Sequence, residues 1–279
     1  MRINYIKNLN NGSLQIKAIT FWQALLLSFI FDIIYSFISA PISLALEIYK
    51  NEIFISTFNK NILISITDFI YQYIATLTII VLTKNRIKNH DRVLYEKTSK
   101  NQYLAGVGMA VGYILITYGI FDILLYSLPT LNEGLYEYIE EYFLNTSYIF
   151  IFISTCVIAP IFEELLYRGE LLNGLLRKYN FKKAIIYSSL IFAIAHMNLP
   201  QGINAFCIGI IIGIVYYYTK SLYICMLMHF ANNFLVNFIV YPESILWRII
   251  LFIIVPIIGF SVFIVSFKRI KENRVVEEG

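Results

Sequence analysis

The sequence predicts an all-α polytopic membrane protein, a class indicated by its composition, its long apolar runs and the placement of its basic residues. Of the 279 residues, 58% are hydrophobic and 14% are charged, and the mean hydropathy is +0.68. Soluble domains carry about a quarter charged residues. The apolar excess lies in runs of about 18 to 25 residues, the length that a helix needs to cross a bilayer.

Eight apolar segments can be drawn along the chain, and we expect each to form a transmembrane helix. Backbone groups in lipid must bond internally, so long runs without polar alternation suit helices rather than barrel strands. One helical membrane domain therefore occupies residues 1–279, with no stretch left for a separate soluble domain. The expected segments are 19–46, 59–83, 103–128, 147–166, 183–197, 203–219, 222–241 and 245–267.

The basic residues predict the orientation of this domain. With a cytoplasmic N-terminus, 19 of the 22 lysines and arginines fall in inner segments, and the outer segments keep only Lys50, Lys60 and Arg248. This distribution follows the positive-inside rule. We therefore expect eight spans in the cell membrane with both termini cytoplasmic. The net charge of +4 is explained by this topology and gives no indication of nucleic-acid binding.

Two further features have structural interpretations. The three cysteines (Cys156, Cys207 and Cys225) lie inside apolar segments without zinc or redox spacing, which favours core packing. Residues 131–146, on the expected outer side, combine helically spaced apolar residues with several glutamates. A solvated connector is favoured there, and a short interfacial helix or lid is the alternative.

The stretch IFEELLYRGELL, residues 161–172, places two adjacent glutamates and an arginine among apolar runs. Ionisable groups in a membrane helix are costly and therefore indicate function. At about 100° per residue, Glu164 and Arg168 share one helix face in the favourable order for an ion pair. Glu163 points elsewhere and has no basic partner at i+3 or i+4. A free buried carboxylate of this kind suits a general base.

Two later segments carry polar residues in helical register. Phe192 and His196 share one face of the fifth segment, so an aromatic wall is expected one turn from an imidazole. In the seventh segment His229, Asn233 and Asn237 form one stripe. A histidine and an asparagine at i and i+4 offer two donors that could hold a water or a developing oxyanion. Interhelical hydrogen bonding is the alternative role for such residues.

Single acids occur in each of the first three segments, at Asp32, Asp68 and Asp122. Each lacks an identifiable partner in the sequence. A structural or helix-contact role is favoured for all three.

Three motifs in this order resemble the CPBP family of intramembrane endopeptidases, which includes CAAX proteases and bacteriocin-processing (Abi) proteins. The family pattern is EExxxR, then FxxxH, then HxxxN, and it matches here as EELLYR from Glu163, FAIAH ending at His196 and HFANN from His229. The resemblance covers about residues 145–240. It divides the domain into variable spans (1–145), a core of CPBP type (146–241) and a last span with a basic cytoplasmic tail (242–279).

The resemblance implies hydrolysis of a peptide bond at or within the membrane. By analogy, Glu163 with His196 would activate the attacking water, and His229 with Asn233 would bind the scissile carbonyl or orient the intermediate. Glu164 and Arg168 would hold the helix ends. We expect no tightly bound metal; zinc held by Glu163, His196 and His229 is the alternative.

The substrate is expected to be a peptide or membrane protein met in the lipid, and the oligomeric state is left open. The richness in Ile, Asn, Lys and Tyr is typical of an AT-rich genome such as that of a low-GC Gram-positive bacterium. Such bacteria lack ordinary prenylated CAAX substrates, which favours processing of a small secreted peptide or immunity to a bacteriocin. A non-catalytic immunity or scaffold protein is the main alternative, and a transporter is a weaker one because no inverted repeat is evident.

Overall fold

The structure is a computed structural model, and it describes residues 4–14, 16–48, 57–83, 97–118, 148–238 and 244–272. These residues are almost entirely helical, as the all-α prediction requires. The described part of the chain contains nine helical elements, of which one, α5, is composite. They are α1 (Asn4–Asn10), α2 (Phe21–Ile48), α3 (Thr57–Thr83), α4 (Lys100–Thr117), α5 (Tyr148–Leu176), α6 (Phe181–Ala195), α7 (Leu199–Thr219), α8 (Leu222–Val236) and α9 (Ile245–Glu272).

The helices α2 to α9 coincide with the eight predicted apolar segments, which confirms the class of a helical multi-pass membrane protein. Five of them contain stretches long and apolar enough to cross a membrane, and α8 is a shorter apolar helix. Large apolar side chains remain exposed on their outer faces, including Trp22, Phe37 and Val81. Exposed apolar surface of this extent is expected where a helix faces lipid rather than water. The count of eight spans stays a prediction.

The helix α5 carries the predicted site residues and is irregular. Its α-helical turns are interrupted by π-helical turns at Ile153–Ile158 and Leu165–Leu172, so Glu163 and Glu164 lie at the end of a short α-helical piece between them. Such turns, with i→i+5 bonds, are rare and are often found at functional sites. Pro160 lies in the first turn of the middle piece, where the lack of a backbone N–H is tolerated.

The predicted end of this helix at residue 166 is wrong, because α5 continues to Leu176. Arg168 therefore lies inside a helix and not in a cytoplasmic loop, as the charge count had placed it. The charged residues at 168 and 170 interrupt the apolar run in the sequence. Both are fully buried in the structure, where each also has a hydrogen-bond partner from another helix.

The helices pack in pairs around the site. α4 lies along α9, α6 along α7 and α2 along α3, while α8 packs against α4 and against the middle of α5. The α4–α9 contact depends on glycine, since a Cβ on Gly112 would lie 2.8 Å from the backbone nitrogen of Phe263. Small residues allow such close approach of membrane helices, for which there is no hydrophobic driving force.

The N-terminal segment was not predicted to be structured, but it packs into the bundle. Leu9, Ile16 and Ile19 are almost completely buried. The chain after α1 forms backbone bonds to two helices, from Lys17 N to the Thr83 carbonyl of α3 and from Ile19 N to the Gly174 carbonyl of α5. The segment therefore closes one end of the bundle. The predicted connector at 131–146 and Asp122 lie outside the described residues.

Candidate active site

The buried ion pair between Glu164 and Arg168 is the centre of the site. Arg168 Nη1 lies 2.9 Å from Glu164 Oε1, and the two side chains are 1% and 0% exposed. The predicted i, i+4 pair is therefore confirmed. Arg168 is held further by its Nη2, which donates to the Gly209 carbonyl of α7 at 3.1 Å, and by the ring of Phe192, whose centroid lies 4.9 Å from the guanidinium carbon. Charge, hydrogen bond and cation–π contact together offset the cost of burying the guanidinium.

Glu164 also binds His229 of α8, which the sequence did not reveal. His229 Nδ1 lies 2.8 Å from Glu164 Oε1, the same oxygen that accepts from Arg168. A carboxylate oxygen accepts hydrogen bonds, so Nδ1 is taken as the donor in this contact, and Nε2 faces away from the ion pair. One carboxylate thus ties α5 to α8 and orients the histidine.

Glu163 faces the other edge of the same imidazole. Its Oε2 lies 3.8 Å from His229 Nε2, and its side chain keeps 27% exposure. In the described part of the chain His229 is the histidine that contacts Glu163. The two adjacent glutamates therefore lie beside opposite nitrogens of one ring. Glu164 is at hydrogen-bond distance, and Glu163 is too far away for a direct hydrogen bond.

His196 belongs to an aromatic wall beside this arrangement, as the FxxxH spacing predicted. It ends α6, and its Nδ1 lies 2.8 Å from the carbonyl oxygen of Phe192. The ring of Phe192 lies edge-on to His196 at 4.8 Å and to His229 at 5.8 Å. Tyr167 packs on the same ring at 4.8 Å. His196 is therefore joined to His229 through Phe192, and its predicted role in activating water with Glu163 stays a prediction.

The predicted stripe on α8 is only partly directed at the site. Asn233 Nδ2 donates to the Thr155 carbonyl of α5 at 2.9 Å, which leaves its second N–H available. Asn237 instead donates to the carbonyl of Asn233 in its own helix at 2.6 Å. Asn232, given no role from the sequence, is buried and donates to Asn233 Oδ1 at 3.1 Å, which fixes the orientation of that amide.

A third buried acid, Glu170, was also missed. It is fully buried and accepts hydrogen bonds from Tyr5 and Thr83. It stands in the same stretch as Glu163, and the cost of burying a carboxylate in a membrane helix could have singled it out. Its partners could not have been inferred, because they come from the N-terminal helix and from the end of α3.

Asp32 and Asp68, two of the acids with an expected structural role, are partly buried on α2 and α3. Asp32 lies one turn from Ser28, whose hydroxyl is 3.1 Å from that of Tyr167. Asp68 precedes Phe69, whose ring packs edge-on against Phe162 at 5.6 Å. Both acids therefore lie on helices that contact α5 near the site, and their structural role stays a prediction.

The alternative of a bound zinc depends on whether three donor side chains meet at one point. Among the residues that the structure describes, no group of three His, Cys, Asp or Glu side chains has the spacing of a metal centre. His229 Nδ1 and His196 Nδ1 are engaged by Glu164 and by a backbone carbonyl. These contacts leave Nε2 of each ring as the nitrogen that could bind an ion, so the expectation of no tightly bound metal stays a prediction.

Comparisons with known proteins agree with the three motifs. Residues 145–235, which contain all six candidate residues, match the family of type II CAAX prenyl endopeptidases of Rce1-like type. The membrane-embedded CAAX protease MroQ of Staphylococcus aureus (strain USA300) is 29% identical over 185 residues, or 62% of this chain and 74% of that protein. No solved structure matches the chain significantly.

The helical bundle and its buried acid–histidine site, together with these matches, define a multi-pass membrane protease. The matches also confirm the resemblance drawn from the motifs. Over its core the chain is therefore similar to intramembrane proteases of the CPBP type.

Proposed function

We propose that the chain hydrolyses a peptide bond within the membrane by means of a water molecule activated by Glu163. One observation carries this proposal: Glu163 and Glu164 hold the two nitrogens of His229 at 3.8 and 2.8 Å, while Arg168 pairs with Glu164 alone. Two adjacent carboxylates thus have different tasks. Glu164 is committed to structure and charge balance, and Glu163 is left to exchange a proton.

The reaction begins with water beside Glu163. The carboxylate takes a proton from the water, and the oxygen attacks the scissile carbonyl carbon. The electron pair of the broken π bond moves to the carbonyl oxygen, which becomes an oxyanion. Protonated Glu163 then donates its proton to the leaving nitrogen as the C–N bond breaks. The products are a carboxylic acid and an amine, so one water molecule is consumed for each bond.

The oxyanion requires donors in a dry environment, where they are worth more than in water. The Nε2 edge of His229, which faces away from Glu164, would supply one donor. One N–H of the Asn233 amide donates to the Thr155 carbonyl, and the second remains available to the oxyanion. His196, on the other side of Phe192, would assist the water.

We also propose that the chain crosses the membrane eight times with both termini in the cytoplasm. The placement of 18 of the 22 basic residues on one side supports this topology, with Arg168 left out because it is buried inside α5. The site would then lie well inside the membrane, because Glu163 is near the middle of a helix of 29 residues. Labelling of single cysteines at Lys50 and Lys178 from either side of the membrane tests the orientation. Equal accessibility of both positions from one side would contradict it.

The substrate class that we propose is a small secreted peptide, either one that the cell matures or a bacteriocin that it resists. The composition typical of an AT-rich bacterial genome supports this class, as does the similarity to a membrane-embedded protease of a bacterium. The membrane would be the plasma membrane of such a cell.

Peptide profiling of cells and medium tests activity and substrate together. Wild-type protein is compared with Glu163→Ala and His229→Ala, and with Asn237→Ala as a matched control from the same helix as His229. We expect a cleaved peptide with wild type and with the control, and its loss in the two site variants at equal protein level. Unchanged processing in both site variants would overturn the catalytic assignment. If the biological activity persisted in Glu163→Ala without cleavage, the non-catalytic immunity or scaffold function would be favoured.

A further inference from the structure

The short helix α1 contacts both of the helices that carry the site. The Tyr5 hydroxyl donates to Glu170 Oε1 of α5 at 2.7 Å. At the other end of α1, Asn10 Oδ1 accepts from the backbone N–H of Leu222, the first residue of α8, at 3.0 Å. One helix of seven residues thus bridges α5 and α8 by two polar contacts.

The bridge is packed as well as hydrogen bonded. Leu9 is 1% exposed and lies at the point where three segments meet. A Cβ added to Gly169 of α5 would lie 3.3 Å from Leu222 Cδ1 and 3.6 Å from Leu9 Cδ1. A glycine at 169 therefore lets α1, α5 and the start of α8 approach one another closely.

The anchor of the bridge on α5 is a buried carboxylate. Glu170 is fully buried, and the hydroxyls of Tyr5 and Thr83 are its side-chain donors in the described residues. Burial, and then the charge of Glu170, raises the pKa of Tyr5, so its hydroxyl keeps its proton and remains a donor. Loss of a donor to a buried carboxylate costs more than loss of an ordinary hydrogen bond, so Tyr5 is held firmly at this point.

The anchor on α8 is one of the free backbone donors at a helix start. The first four N–H groups of a helix have no partner within it and carry a partial positive charge. Ser221 caps α8 by accepting from Ile224 N, and Asn10 accepts from Leu222 N. The start of α8 is therefore completed by a side chain from the N-terminal segment.

Both anchors lie the same number of residues from the reacting groups. Glu170 is seven residues from Glu163 along α5, and Leu222 is seven residues from His229 along α8. At about 1.5 Å per α-helical residue, Leu222 lies roughly 10 Å from His229, and Glu170 lies within about two turns of Glu163. The two helices run in opposite directions, so both anchors are on the same side of the site.

We propose that α1 is a clamp that sets the spacing of α5 and α8, with Tyr5 and Asn10 as positioning residues for the Glu163–His229 pair. This inference rests on the proposed function of that pair. Within the site, Glu164 and Asn233 join the same two helices. The clamp joins them a second time, and two separated connections prevent rotation of one helix about a single contact.

The clamp is tested in the full-length protein with four variants. Asn10→Leu removes the acceptor for Leu222 N–H, and Asn10→Asp keeps an oxygen there and adds a charge suited to a helix start. Tyr5→Phe removes the donor to Glu170. Lys7→Ala, on the exposed face of the same helix, is the matched control. Each is assayed by hydrogen exchange of the peptide covering the start of α8, and by kcat and KM on the peptide identified by profiling.

For Asn10→Leu we expect amide hydrogen exchange at the start of α8 to become about tenfold faster. The start of α8 opens more easily once the hydrogen bond to Asn10 is lost. We expect kcat to fall by about tenfold with KM changed less than twofold, because small displacements of reacting groups slow chemistry rather than binding. Tyr5→Phe should lower kcat in the same way. Asn10→Asp should restore both values, and Lys7→Ala should leave both unchanged.

The two assays separate failure of the clamp from failure of the proposed function. Unchanged exchange in Asn10→Leu, or faster exchange with an unchanged kcat, would overturn the clamp. Failure of Asn10→Asp to restore kcat would also overturn it, since the acceptor would then not be the cause. A wild-type protein that cleaves nothing would contradict the proposed function, and the exchange comparison would still decide whether α1 holds α8.

Discussion

Two helix contacts in this molecule are made by opposite means. α4 and α9 approach through glycine, with the backbone at Gly112 and Gly259 so close that an added Cβ on either would lie under 3 Å from the other helix. α5 and α8 are joined by charge, through Glu164 and His229. The first contact depends on shape and the second on protonation. A mutation in the α4–α9 contact should therefore change stability but not cleavage. A mutation in the α5–α8 contact should change both.

The largest effect is expected from removing the charge that α5 and α8 share. Glu164→Gln keeps an oxygen near Arg168 and His229 but leaves the guanidinium buried without a counter-charge. We expect the free energy of unfolding to fall by about 3–5 kcal/mol and cleavage to be lost. Thermal unfolding in detergent and peptide cleavage measure the two effects. A Glu164→Gln protein that cleaved at the wild-type rate would show that the charge is dispensable.

A double variant sharpens this comparison. Glu164→Gln combined with Arg168→Met removes both charges, so the unpaired guanidinium no longer destabilises the protein. We expect most of the lost stability to return, while cleavage stays absent because His229 still lacks its anion. Recovery of cleavage would mean that Glu164 serves only to neutralise Arg168.

The α4–α9 contact should show the reverse pattern. In Gly112→Ala the new methyl group would lie 2.8 Å from a backbone nitrogen and 2.9 Å from a backbone oxygen of α9. We expect a loss of about 1–3 kcal/mol in the free energy of unfolding, as for other overpacked sites, with unchanged cleavage per folded molecule. Gly108→Ala meets a serine side chain rather than backbone and should be milder. A specific loss of kcat in Gly112→Ala would contradict the separation of the two contacts.

A smaller effect is expected from the aromatic wall. Phe192→Leu keeps an apolar side chain but removes the ring over Arg168 and beside the two histidines. The cation–π contact is worth about 1–2 kcal/mol when desolvated, so kcat should fall by about tenfold with a modest loss of stability. Leu190→Phe on the exposed face of the same helix is the control for helix packing. Equal cleavage by Phe192→Leu and wild type would exclude the wall from positioning.

The smallest effect is expected from Asn232, which acts through Asn233. Asn232→Ala removes one hydrogen bond to the Asn233 amide, a contribution of about 1 kcal/mol, so kcat should fall only a few-fold. Asn233→Ala removes an expected oxyanion donor and should cost about a hundredfold or more. A comparison of kcat for the two variants with that of Asn237→Ala gives the order. An Asn232→Ala effect as large as that of Asn233→Ala would mean that Asn232 itself contacts substrate.

Residue spacing correctly predicted those contacts of the site that lie within a single helix. Glu164 with Arg168, and Phe192 with His196, depend only on spacing along α5 and α6, and both were predicted correctly. The contact of Glu164 with His229 depends on how two helices pack. No local pattern encodes that arrangement, so it could not be read from a single sequence.

The ends of elements were predicted least well, and for identifiable reasons. α5 was ended ten residues early because charged residues break an apolar run, although Arg168 and Glu170 are buried and paired. α1 was missed because seven residues carry too short a pattern to indicate a helix. Its stability comes from tertiary contacts at Leu9 and Asn10, which sequence periodicity does not report.

The π-helical stretch Leu165–Leu172 begins after Glu163 and contains Glu170, and it has a consequence for how these two acids are oriented. A π-helical turn is equivalent to one extra residue in an α-helix, and one residue corresponds to about 100° of rotation. The irregular stretch thus acts as an angular offset, which lets one continuous helix direct Glu163 to the proposed reaction and Glu170 to the contacts that support the helix.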